Sequence, residues 1–356
     1  MRHLYKKKYF LQGIICFLIL FLSGCAASKN QSGLSLANTK NTEKYSMTDF
    51  VMDTVLSVTL YGEKDATAEI KTLLEDLEKK ELSWRIEDSM ASKINTECQK
   101  GNPVEMDKDF ASWTRDSVTL SEKSGGAFDP TIGNLTRLWN VEGENPVVPP
   151  QEDIDACMKQ IGYQHINIEE NTITMEDGST LDLGAVGKGI GCDEVEERLK
   201  ELPISGAVVA IGGSILVYGD KPDGSDWNVA VQDPDGEDGA PMGVISISGE
   251  KFISTSGDYE KYFEQDGVRY HHILDPSTGY PSRSGLRSVT IVCDNGLLSD
   301  GLSTACFILG EEKGMELVKE YGAEAVFIND QNEVTVSDGL KKQFKIIEYA
   351  YKIKGE

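Results

Sequence analysis

An α+β domain, with mixed or antiparallel sheets flanked by helices, is the fold class that the sequence predicts. Three observations point to it. Short runs of β-branched and alternating residues switch repeatedly with stretches whose apolar residues recur at helical spacing. The 356 residues, 39% hydrophobic and 26% charged, have the balance of a globular chain able to bury a core. The glycine-rich segment Leu181–Gly191 reads as a tight turn from strand to helix.

The first residues are a separate matter. Arg2, Lys6, Lys7 and Lys8 precede the apolar run Tyr9–Leu22, and Leu22-Ser23-Gly24-Cys25 follows. A basic end, a short apolar core and a small-residue site read as an export signal over residues 1–24. An uncleaved N-terminal anchor is the other reading. Either way the rest of the chain is expected outside the cytoplasm. Leu22–Cys25 resembles a bacterial lipobox, which implies cleavage before Cys25 and lipid on its sulfur, hence attachment to the bacterial cell membrane. Residues 25–45, rich in Ser, Asn, Lys and Thr, read as a flexible tether, and residues 46–350 as the domain.

Removing residues 1–24 takes away four basic side chains and no acidic one. What remains carries 31 Lys+Arg against 59 Asp+Glu, a formal net charge of −28. That excludes a nucleic-acid partner, which needs clustered Lys and Arg, and broad adhesion to anionic lipid. A polyphosphate held on so acidic a chain would need a cation or backbone amides. Cys98, Cys157, Cys192, Cys293 and Cys306 are scattered, odd in number and without CxxC spacing, so they read as small buried residues rather than a disulfide or zinc framework.

In chain order, Val55–Tyr61 reads as a strand and Lys64–Leu82 as an amphipathic helix with Ala68, Ile70, Leu73, Leu74 and Leu77 inward. Phe110–Ser124 is a second helix ending at Gly125-Gly126. The turn Ala127–Gly133, a proline-bearing loop over Glu142–Gln151 and a short helix Asp153–Ile161 come next. After the glycine-rich segment, Cys192–Leu202 reads as a helix and Ala207–Ile211 as a buried strand. Trp227–Gln232 and Gly243–Ser248 alternate as strands around the acidic loop Asp233–Asp238. Ser288–Cys293 is a strand, Ser299–Leu309 and Glu311–Tyr321 are helices, and Ala325–Asn329 is a further strand before a last strand pair and a polar tail.

Three stretches carry chemistry. In Leu181–Gly191, glycines let backbone N–H groups approach a phosphate at a helix N-terminus, or simply close a tight turn; the spacing is neither a Walker loop nor GxGxxG. Asp300 and Thr304 are four apart on one helix face, which suits a hard-oxygen site for Mg²⁺; Asp300 also reads as an N-terminal helix charge. In Phe252–Ser284, a hydroxyl-rich run, Ser254-Thr255-Ser256-Gly257-Asp258, leads through an aromatic segment to His271-His272-Ile273-Leu274-Asp275-Pro276. Two of the three histidines left after residue 24 thus stand together before an Asp-Pro turn. They suit proton transfer, or else a hairpin with one histidine on each face.

Ile253–Phe263 and Tyr270–Pro281 closely resemble the ApbE family, the FAD:protein FMN transferases. Ordered segments on either side share the resemblance: Gly126–Trp139, Leu181–Asp193, Gly212–Ile215 and Ser299–Gly310, so that it runs from about Phe50 to Asn329. Departures are local. Asp53 stands where the family has glycine, Arg85 beside Trp84 at the place of the tyrosine that lies over the flavin, Ala210 and Ser214 for Asn and Asp, and Gly301 for Ala.

The resemblance implies a T-fold-like ApbE core. It implies FAD as substrate, contacted by Met52, Ala127, Phe128, Asp129, Asp182, Lys188 and Ile273. It implies Mg²⁺ on the Ala185 carbonyl, Asp300 and Thr304, and His272 as base, with Asp258 or Asp275 orienting it or Asp258 serving as a further ligand. The implied reaction transfers FMN to a Thr or Ser hydroxyl of an extracytoplasmic acceptor flavoprotein of a membrane electron-transfer system, releasing AMP. A metal-dependent FAD pyrophosphatase and a non-catalytic flavin-binding lipoprotein remain the alternatives.

Overall fold

Nine strands follow one another across the main sheet in the order in which they occur in the chain. They are Glu43–Val51, Thr54–Gly62, Ile204–Ile211, Ser214–Gly219, Lys251–Gly257, Leu286–Cys293, Glu324–Asn329, Glu333–Val336 and Lys352–Ile353. Every neighbouring pair is antiparallel except the last. This is a computed structural model, and it describes residues 42–355 apart from Asp177 and Asp238. The expected signal, Cys25 and most of the tether lie outside the described residues. The first strand begins at Glu43, inside the stretch read as tether, and the last lies beyond the expected end at residue 350.

Side chains alternate between the faces of a strand, and the core follows that alternation. Leu216, Phe252, Ile291 and Phe327 join apolar clusters shared with helices, while their neighbours Val217, Ile253, Val292 and Ile328 join another. The second face is covered by a small sheet of Trp227–Gln232, Pro241–Ile247 and Phe344–Ile346. On the first, the helices Gly187–Lys200 and Gly296–Leu309 pack on each other and on the strands. Cys98, Cys192 and Cys306 are buried among these apolar residues.

Helix boundaries depart from the periodicity where polar contacts set them. Thr67–Leu77 is α-helical, but its continuation Glu78–Leu82 is a π-turn. Asp107 accepts from the amides of Asp109 and Phe110 and starts the next helix at Lys108. The helix expected from Cys192 begins at Gly187, so the glycines form its first turn. The one expected from Ser299 begins at Gly296, where the Asn295 side chain accepts from Leu298 N. Asp300 is therefore not a first-turn charge.

Candidate active site

One cavity opens where the turn after Glu43–Val51, the segment Ala127–Asp129, the two helix N-termini and the chain around His272 converge. Met52, Ala127, Phe128, Asp129, Asp182, Ala185, Lys188, His272, Ile273, Asp300 and Thr304 all line it. These residues are scattered over 250 positions of sequence, and the sheet topology brings them together.

Local chemistry explains how each is held. Met52 and Asp53 form a two-residue hairpin turn with φ of +52° and +54°. Aspartate tolerates this left-handed conformation better than most residues, so it can stand where the family has glycine. Met52 N donates to Glu78 Oε2 at 3.1 Å. Asp129 is buried and accepts from Thr131 N, Thr131 Oγ1 and Tyr163 N, at 2.8, 2.6 and 2.9 Å. Burial pushes its carboxyl up despite those bonds. Asp182 N donates to Pro130 O at 2.7 Å, and Asp182 Oδ1 accepts from Gly184 N at 2.8 Å, tying the two turns side by side.

The charged side of the cavity centres on Asp300, which is 3% exposed. Its Oδ2 accepts from Gly189 N at 3.0 Å; its Oδ1 accepts from Ser214 Oγ at 3.1 Å and faces Lys188 Nζ at 3.5 Å. Burial pulls the Lys188 ammonium down, but Asp300 and Glu260 outweigh it and hold it above its ordinary value. Thr304 Oγ1 lies 3.3 Å from Ser256 Oγ, part of a hydroxyl seam in which Ser254 meets Ser299 and Ser256 meets Ser303, each at 2.7 Å. Small polar pairs at period two on the strand and period four on the helix bring the two elements close.

The two histidines divide cleanly. His271 is buried, with Nε2 3.0 Å from the Ser282 carbonyl and Nδ1 accepting from Ile273 N at 3.3 Å. Both ring nitrogens are engaged, and burial pushes the ring down to about 4. His272 lines the cavity, half-buried, with Nδ1 3.2 Å from the Lys261 carbonyl. A carbonyl only accepts, so Nδ1 carries the proton and Nε2 the lone pair. Burial, with Lys261, His271 and Lys188, pushes His272 down to about 3, so it is neutral.

Two expectations are corrected here. Asp258 does not orient His272: Arg287 Nε donates to its two oxygens at 3.1 and 2.9 Å, and it is not among the cavity-lining residues. Nor does Asp275, whose Oδ1 accepts from Ser277 N and Oγ and closes the turn. The Lys261 carbonyl takes that place.

Sequence reasoning missed Glu260, Lys261 and Asn95. Glu260 is exposed toward the cavity and otherwise ringed by protein, which pushes its carboxyl up to about 7 against the pull of Lys188 and Lys261. Lys261 Nζ pairs with Glu142 at 2.5 Å. Asn95 exchanges two hydrogen bonds with the backbone of Leu181 and anchors the glycine-rich segment. At the wall, the Arg85 and Arg137 guanidinium carbons lie 4.5 and 4.3 Å from the Trp84 ring centroid. Trp84 and Arg85 both line the cavity, with the Arg85 guanidinium over the Trp84 ring.

The sequence model of the ApbE family matches residues 52–327, a span that includes every one of these cavity-lining groups. The chain belongs to the ApbE family. Among its ApbE relatives, the FAD:protein FMN transferase of Treponema pallidum is 32% identical over 86% of this chain and 90% of its own. That of Escherichia coli K12 is 32% identical over 92% and 94%. Solved ApbE structures agree in fold. The ApbE protein of Thermotoga maritima superposes with a TM-score of 0.75 at 32% identity, covering 85% of this chain and 99% of its own. The flavinyl transferase ApbE of Pseudomonas stutzeri, in its apo form, gives 0.74 at 30% identity over 86% and 98%.

Proposed function

We propose that this ApbE-family protein transfers FMN from FAD to a threonine or serine hydroxyl of a partner protein. The observation that carries this reading is the joining, in one cavity, of the hard-oxygen pair Asp300 and Thr304, one helical turn apart, with a neutral, oriented histidine. In the reaction the acceptor oxygen bonds to the FMN phosphorus. The bond from that phosphorus to the bridging oxygen breaks, AMP leaves with the bridging oxygen, and the hydroxyl proton passes to His272 Nε2. Phosphoryl transfer asks mainly for positioning and charge neutralisation, with modest help from a base.

Lys188 and the amides of the glycine-rich first turn supply the positive field that the acidic chain otherwise lacks. The donor set also fits Mg²⁺. Asp300, Thr304 and the Ala185 carbonyl are all oxygens, and only one is a carboxylate, as suits an ion that keeps waters and substrate phosphates as its other ligands. Bound there, Mg²⁺ would polarise the pyrophosphate and offset charge on the departing AMP. Met52, Ala127, Phe128, Asp129, Asp182 and Ile273 form the wall against which FAD would lie.

The signal-like N-terminus supports export and a lipid anchor on Cys25. The acceptor is then an extracytoplasmic flavoprotein of a membrane electron-transfer system. The test is the mass of a threonine-containing acceptor domain after incubation with the protein, FAD and Mg²⁺. One added FMN with AMP released supports transfer. AMP and free FMN beside an unmodified acceptor would make the protein a pyrophosphatase, and no AMP a binding protein.

A further inference from the structure

The two helices that carry the charged side of the cavity meet N-terminus to N-terminus, and each caps the other. Asp193, in the second turn of Gly187–Lys200, accepts from Gly296 N on Oδ1 at 2.6 Å and from Leu297 N on Oδ2 at 2.8 Å. Asp300, in the second turn of Gly296–Leu309, accepts in return from Gly189 N. Each carboxylate thus meets the electropositive end of the other helix. The exchange depends on two glycines in contact. A Cβ on Gly189 would lie 2.1 Å from Gly296 O, and one on Gly296 would lie 2.2 Å from Gly189 O.

The two carboxylates differ in what else they meet. Asp300 faces the cavity together with Lys188, and from behind it accepts from the buried Ser214 hydroxyl. Asp193 is not among the cavity-lining residues, and both of its oxygens are engaged by the first-turn amides of the other helix. Bonds to two successive amides fix that helix in rotation as well as in position.

We infer that Asp193 is a positioning residue for the transfer reaction: by clasping the first turn of Gly296–Leu309 it sets where Asp300 and Thr304 stand relative to Ala185 and Lys188. The inference rests on the reading of Asp300 and Thr304 as an ion site. It assigns Asp193 no contact with substrate or ion.

The test compares the full chain with Asp193→Asn and Asp193→Ala. Asparagine keeps one acceptor and sets an N–H donor against the second amide; alanine removes both. Mn²⁺ binding is followed by electron paramagnetic resonance without FAD, and the Mg²⁺ dependence of AMP release is measured with it. Outer-sphere partners of metal ligands typically contribute about 10–100-fold to affinity. Asp193→Ala is therefore expected to raise both the Mn²⁺ Kd and the half-saturating Mg²⁺ at least ~10-fold. The rate at saturating Mg²⁺ should fall much less, with Asp193→Asn in between. A lowered Tm with both ion constants within about twofold of the parent would overturn the inference and leave a cap that only stabilises. If alanine does not fold, asparagine decides by the same criterion. If the parent binds Mn²⁺ yet releases no AMP, the transfer reading fails and the shift in Mn²⁺ affinity still decides Asp193. If the parent binds no Mn²⁺, the inference falls.

Discussion

The Asp300 side of the cavity rests on helices packed on the main sheet, whereas the histidine side is carried by a hairpin of its own. Asp300 is held by Gly189, Ser214 and Lys188 from two further elements, with the hydroxyl seam of Ser254, Ser256, Ser299 and Ser303 beneath it. His272 follows the two-stranded sheet Tyr262–Gln265 and Val268–His271, which among the described residues pairs with no other strand. What fastens this hairpin is aromatic. Phe263 and Tyr270 stack with ring centroids 5.3 Å apart, Tyr270 stacks on Trp139 at 5.7 Å, and Trp139 Nε1 donates to Gly279 O. Polar contacts hold Asp300 in place, while stacked rings, with a few polar contacts at the margins such as Val148 N to Gln265 Oε1, hold the hairpin that leads to His272. Two kinds of anchoring suit two tasks: holding a small polyanion, and admitting a large partner.

Substitutions separate the two sides. The largest effect is expected at Asp300. Asp300→Ala removes a carboxylate that three groups address, including the one 3.5 Å from Lys188 Nζ, so transfer should fall by about 10³-fold or more. Raising Mg²⁺ should not restore it, as AMP release at graded Mg²⁺ would reveal. His271→Ala should act through stability instead. It leaves the Ser282 carbonyl and the Ile273 amide without their partner, at about 1–3 kcal/mol, seen as a lowered Tm.

Glu260 sharpens the comparison by pH. Its carboxyl titrates near 7 between Lys188 and Lys261. The neutral acid dominates below that pH and the carboxylate above it, where it repels a bound pyrophosphate. FAD affinity should therefore weaken as pH rises from about 6 to 8, and Glu260→Gln should flatten that dependence. A binding titration at several pH values checks this. The smallest effect on transfer is expected at Asp258. Asp258→Asn loosens the Arg287 pair and lowers the Tm, but the rate at saturating FAD should stay within about threefold. A larger loss would return Asp258 to the site.

The α+β alternation and the family's motifs were legible because they are local: period-two and helical spacings, glycine turns and an Asp-Pro turn. That His272 rather than His271 was the histidine to look for came from the resemblance alone; of the two, His272 lines the cavity. What local reading missed was set by partners far along the chain. Asp258 sits in a run of hydroxyls that looks catalytic, yet Arg287, 29 residues on, claims it. Glu260 follows the end of its strand at Gly257, so alternation no longer indicates its direction. The helix at Gly187 begins five residues before the periodicity suggested, because Asp300, 111 residues away, caps its glycine turn. Nothing near Asn95 in the sequence indicates that its amide binds the backbone of Leu181.

The most direct measurement is FMN transfer by His272→Ala beside the parent, with FAD affinity and Tm measured on the same samples. Because His272 Nδ1 is committed to the Lys261 carbonyl, the account makes Nε2 the proton acceptor. It predicts an acceptor flavinylated about 10²–10⁴-fold more slowly, with FAD bound as tightly and the fold intact. Transfer at the parent rate by a folded His272→Ala protein would contradict it.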